Sequence, residues 1–167
     1  MSAGDVPTAR ADGRRWGEAA RPPWHLWVVG VLTLLITSVG VVDFVAARSV
    51  SQEYFDSLGY GAEQVAYFRT YPWLPLIFWA ANIALGPVTG VLLLLRHPWA
   101  VWSAVGAFVS DVVLCAMTFG FMDRLGVLGP RLPTQDLVVL LLFGLLALYC
   151  RRMSRRGVLS RRSVSPA

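Results

Sequence analysis

Lysine is missing from this 167-residue chain, and all 15 basic residues are arginine. That substitution throughout points to a GC-rich, bacterial genome. Charge of either sign is also scarce: 15% of residues are charged, where soluble domains carry about a quarter. Cysteine is limited to Cys115 and Cys150. Both lie in apolar stretches with no CxxC and no neighbouring histidine, which argues against a disulfide framework or a cysteine metal site. No GxSxG, phosphate loop, dinucleotide fingerprint or HExxH is present. Ser38, Ser103 and Ser110 have no adjacent histidine to activate them. His25 and His97 have no partner at ligand spacing and read as interfacial anchors. The chain therefore reads as a non-enzyme, with no catalytic residue, cofactor or metal expected.

What is abundant is apolar: 56% of residues are hydrophobic and the mean hydropathy is +0.56. The charges avoid four long apolar stretches, a pattern of membrane helices and not of a soluble core. A bilayer core of about 30 Å needs roughly 20 helical residues. The first stretch, Trp24 to Ala47, meets that length and exceeds the apolar run of a signal peptide. The second spans Trp73 to Leu95 and contains Gly86-Pro87, where a kink is expected. The third spans Trp99 to Met122 and the fourth Gln135 to Cys150. The predicted fold is an all-α membrane protein, a four-helix transmembrane bundle over residues 22–150. Residues 1–21 read as a disordered cytoplasmic arm and 151–167 as a basic cytoplasmic tail.

The loops carry their own signals. Arg96-His97-Pro98 is a tight turn, so the second and third helices are antiparallel neighbours. Asp123 to Thr134 reads as a short polar loop. The longest connection, Ser49 to Pro72, is expected to hold two short interfacial helices. Ser49-Val50-Ser51-Gln52 fits a capping box before a helix over Gln52 to Leu58. Gly59-Tyr60-Gly61 breaks it, and Ala62 to Tyr71 forms the second. Tyr54, Phe55, Tyr60, Tyr67, Phe68 and Tyr71 give this loop an aromatic surface.

Arginine placement orients the chain. The arm, the second turn and the tail hold four, one and six arginines, and the other two loops together hold four. Positive-inside logic places both termini in the cytoplasm of a bacterial inner membrane. The arginines beside the helices suit anionic lipid headgroups better than nucleic acid.

Four polar residues inside the apolar stretches are the candidate site. Asp111 lies about 18 Å along the third helix, near mid-membrane, where a carboxylate is costly and must face the bundle interior. Asn82 lies at a similar depth on the second helix. A hydrogen bond between Asn82 and Asp111 is the simplest account of both. On the first helix Gly30, Thr33, Thr37, Gly40, Asp43 and Ala47 recur every three or four residues as a packing face. Asp43 sits near the outer end, with Arg48, Arg69 and Arg124 as candidate partners. Gly86 and Gly90 form a GxxxG that admits a close helix neighbour.

Several stretches resemble a family of small bacterial inner-membrane proteins, some of which carry the label sugar transporter. They are residues 22–27, Val39-Gly40-Val41-Val42-Asp43-Phe44, Glu63-Gln64-Val65-Ala66-Tyr67-Phe68, Gly90 to Arg96 and Tyr149-Cys150-Arg151-Arg152-Met153. The resemblance covers most of residues 22–158. The family pattern has Trp-Asn in place of Ile36-Thr37 and no counterpart to Asp111. It therefore implies that the shared features are Asp43 and the Tyr54–Tyr71 loop.

Two functions compete. The first is a non-catalytic accessory protein with a membrane-protein partner or a second copy of itself. The second is a solute transporter, or a transporter subunit, using Asp111 and Asn82. A dry bundle with those two residues paired favours the first; a polar cavity reaching either one favours the second.

Overall fold

The computed structural model describes residues 23–49 and 51–159. The expected arm and the last residues of the tail lie outside them. Seven helices follow one another: α1 Trp24–Ser49, α2 Gln52–Ser57, α3 Ala62–Arg69, α4 Trp73–Leu94, α5 Ala100–Phe121, α6 Arg124–Leu128 and α7 Arg131–Arg155. Helices α1, α4, α5 and α7 are each long and apolar enough to cross a membrane. The chain is a multi-pass, four-helix transmembrane protein. Trp27, Val31, Leu35, Val39, Val42 and Val45 of α1 are exposed on the molecule's surface, and lipid solvates such a face.

The four spans form an open row. α1 packs along α4, α4 along α5, and α5 along α7. The α1–α4 contact runs through glycine. A Cβ on Gly30 would fall 2.6 Å from Leu94 Cδ2, and one on Gly86 would fall 2.7 Å from Thr37 Cγ2. A Cβ on Gly90 would lie 2.7 Å from Leu34 Cγ and 3.2 Å from the Gly30 carbonyl oxygen. The small-residue stripe of α1 and the GxxxG of α4 are thus two sides of one seam. The α4–α5 contact adds polar ties. Ser103 donates to the Leu85 carbonyl at 3.1 Å, and its hydroxyl lies 2.9 Å from that of Thr89.

A packed core closes the end of the bundle nearest the tail. Leu26 of α1, Leu93 of α4, Ala100 and Ala104 of α5, and Ala147, Cys150 and Met153 of α7 meet there. At the same end His25 Nδ1 and the Tyr149 hydroxyl are hydrogen-bonded at 2.7 Å, tying α1 to α7. His25 is therefore more than an interfacial anchor. The opposite end carries a cap. Ala47, Phe55, Val65 and Phe68 are buried together, with Tyr54, Tyr60, Trp79 and Leu128 against them. Tyr60 and Phe68 stack with their planes 6° apart. Gln64 Nε2 donates to the Val127 carbonyl at 3.0 Å, joining α3 to α6.

Several boundaries differ from expectation. Ser49 is the last residue of α1, so the α2 cap falls on Ser51, whose hydroxyl accepts the Tyr54 N–H. Half of a capping box appears instead at α3, where Gln64 Oε1 accepts the Gly61 N–H at 3.0 Å. The expected polar loop after α5 holds α6, capped by Asp123, whose carboxylate accepts the Gly126 N–H. Helix α7 starts at Arg131, with Pro133 in its first turn. A first-turn residue has no intrahelical use for its N–H, so proline is tolerated there. Helix α7 also runs beyond Cys150 to Arg155 and ends at Gly157, φ +70°. The Val158 N–H bonds to the Met153 carbonyl and the Gly157 N–H to that of Ser154. That is a Schellman stop, with Gly supplying the left-handed residue. Helix α4 continues through Pro87.

Candidate functional site

Because the row is open, α1 and α7 diverge away from the packed end. A cavity of about 1030 Å³ lies between them. Its floor is α4 and α5, its closed end is the core around Leu26 and Met153, and its roof is the aromatic cap. Lining residues run from Val29 to Ala47 on α1 and from Arg131 to Tyr149 on α7. Each interval is 18 residues, about 27 Å of helix, which nearly matches the hydrocarbon thickness of about 30 Å. Leu32 and Ile36 on one side and Leu142 and Leu145 on the other both line the cavity and stand about half exposed. They form the lips of an opening that faces sideways, toward lipid.

All four candidate residues line this one cavity: Asp111, Asn82, Asp43 and Thr37. Their bonding differs from expectation at two points. Asn82 does not bond to Asp111. Its Nδ2 donates to the Ala107 carbonyl at 3.1 Å, one turn earlier on α5. Asp111 is 5% exposed, and its Oδ2 has no hydrogen-bond partner. Depth arithmetic fixed how far along α5 the two residues would meet, but not the rotation about its axis. A helix turns about 100° per residue, so a side chain at the right depth still reaches the neighbouring turn. Thr37 donates to the Thr33 carbonyl at 2.7 Å while its methyl covers Gly86.

The second departure concerns Asp43. No arginine pairs with it; the Tyr54 hydroxyl of α2 donates to its Oδ1. Burial and that bond push the Tyr54 phenol above the usual tyrosine range. Arg124 is already engaged: its Nε and Nη2 donate to the two Asp136 oxygens at 2.5 and 3.1 Å. This is the one ion pair among the described residues. Burial is the largest single influence and works against the Arg124 charge, but the bond and charge of Asp136, with Tyr67, together outweigh it and hold the guanidinium above its ordinary range. Arg48 reaches only the Phe68 carbonyl, at 3.5 Å.

The structure brings to the cavity residues that the sequence did not assign to the site. Arg124, Arg131, Gln135 and Asp136 line the cavity under the roof, beside Tyr54, Tyr60, Tyr71 and Trp79. An arginine and an aspartate on the two sides of a short loop were a readable sign of the Arg124–Asp136 pair. Nothing local marks Tyr149 as the partner of His25, since 124 positions separate them. Among the described residues, no three His, Cys, Asp or Glu side chains gather as a metal site. The arrangement can hold a ligand within the bilayer, with charged groups near the roof and a single carboxyl at mid-depth. No family model matches the chain, and no curated protein or solved structure is similar to it.

Proposed function

We propose that this chain is a solute transporter, or a transporter subunit, of a bacterial inner membrane, binding its ligand in the α1–α7 cavity at Asp111 and Asn82. The observation that carries this reading is Asp111, a buried residue whose Oδ2 lacks a partner and which lines a cavity of about 1030 Å³. A structural aspartate joining helices would have its oxygens bonded within the bundle, because an unmade polar bond in hydrocarbon is costly. The arginine asymmetry supports cytoplasmic termini. In that orientation the cavity's closed end faces the cytoplasm and the aromatic cap faces outward. Arg151, Arg152, Arg155 and Arg156 then meet anionic headgroups.

The rival is an accessory protein whose partner, or second copy, lays a helix between the lips; the half-exposed Leu32, Ile36, Leu142 and Leu145 favour it. Vesicle flux separates the two. Purified protein in liposomes should speed the movement of at least one member of a panel of sugars, amines and carboxylates. Asp111→Asn, near-isosteric and expected to fold, should abolish that gain. A panel that moves no faster than in protein-free vesicles would sink the transport reading, as would an unchanged rate in Asp111→Asn.

A further inference from the structure

We infer that the cavity selects a lipophilic ammonium ion, an apolar body bearing a protonated amine, which enters from the lipid between α1 and α7. The inference rests on the transport reading and names its substrate class. Three features lead to it.

The first is access. The roof and the packed end bound the cavity along the membrane normal, and its half-exposed lips are the leucines and isoleucine of α1 and α7. A solute that enters between such lips partitions into lipid first.

The second is the bonding left over at mid-depth. One N–H of Asn82 Nδ2 is spent on Ala107 and the Thr37 hydroxyl on Thr33. What remains is the Asp111 carboxyl and the Asn82 amide oxygen as acceptors, beside the second Asn82 N–H and the Thr33 hydroxyl. An ammonium supplies only donors, and the Asp111 carboxyl, which has no partner for its Oδ2, is an acceptor for them.

The third is charge. Among the described residues the one basic group in an ion pair, Arg124, is held by Asp136. Asp111 has no such partner, so a buried carboxylate would be joined by the ligand's own charge. Around it Ile83, Leu114, Val139, Leu142 and Phe143 offer apolar surface. Trp79, three residues before Asn82 on α4, adds an aromatic face on the way from the roof, and cations are attracted to such faces.

The test uses three molecules of one shape: 1-adamantylammonium, neutral 1-adamantanol and anionic 1-adamantanecarboxylate. Binding to the full chain in nanodiscs is read by tryptophan fluorescence and calorimetry. The ammonium should bind at least about tenfold more tightly than the other two. Asp111→Asn should erase that preference. Ile36→Trp, which narrows the mouth without touching Asp111, should weaken the ammonium with Asp111 intact. Equal affinity for the three molecules, a preference that survives in Asp111→Asn, or no binding of the ammonium would overturn the inference. Flux of a neutral solute without charge-selective binding overturns this assignment and leaves transport standing. Charge-selective binding without any flux supports the assignment and removes transport.

Discussion

Replacing Gly90 with alanine tests the seam that sets the whole row. A Cβ there would meet Leu34 Cγ at 2.7 Å and Cδ2 at 3.0 Å, with the Gly30 carbonyl oxygen at 3.2 Å. Ordinary carbon contacts sit near 3.5–4.0 Å, so about 1 Å of overlap must be relieved. Leu34 can turn away, but Gly30 O is backbone, and moving it parts α1 from α4. Overpacking of this kind costs about 1–3 kcal/mol, and the alanine returns about 1 kcal/mol in helix propensity. The net expectation is a loss of about 1 kcal/mol. Gly120, on α5, has nothing within 4 Å of where a methyl would sit, so Gly120→Ala keeps the propensity gain without the overlap. Unfolding in sodium dodecyl sulfate mixed micelles, followed by circular dichroism, should therefore separate the two variants by the overpacking cost, about 1–3 kcal/mol. A Gly90→Ala protein as stable as Gly120→Ala would refute the close α1–α4 approach.

Other consequences are open to direct measurement. Arg124→Met strands a partly exposed Asp136 and should lower stability by about 1 kcal/mol, with most of the loss recovered in the double variant Arg124→Met/Asp136→Leu; a double variant no better than the single would refute the pairing. Tyr54, Tyr60, Tyr67 and Tyr71 all have phenols pushed upward, first by burial. A raised folded value means their stabilising contribution is complete below the unfolded pKa of about 10 and is lost as pH rises above it. Tyrosinate absorbance should therefore appear together with unfolding, and smooth ionisation of a folded protein near pH 10 would contradict the buried cap. Reporter fusions at Ala167 and within residues 1–21 should report cytoplasm and one at Gly59 the outside; a cytoplasmic signal at Gly59 would overturn the four-crossing topology.

The spans were legible because apolar stretches of about 20 residues have one solution in a bilayer. The α1 packing face was legible too, since small residues at spacing three and four mark close approach. Asp111 was picked by its cost in hydrocarbon, Asn82 by its matching depth, and Thr37 and Asp43 from the α1 stripe, and the structure brings all four to one cavity. Their partners were not legible. Asn82 bonds to a backbone carbonyl, which carries no sequence identity. Asp43 took a tyrosine from the loop where charge logic offered arginines. The cavity itself depends on α1 and α7 failing to close, a property of the row and not of any segment. The α6 turn is five residues with Gly126 inside it, too short for periodicity to show.

The open row also dictates an order of assembly. Helix α1 packs along α4 and meets α2, which follows it directly, only near its own end. It enters the membrane when its helical neighbour has not been made. The residues from Gln52 to Leu94 must first be translated, which takes several seconds at about 5–20 residues per second. During that interval the Gly30 and Thr37 face is open to any passing helix. The α4–α5 hairpin then gives the nascent chain its nucleus, onto which α1 docks from one flank and α7 from the other.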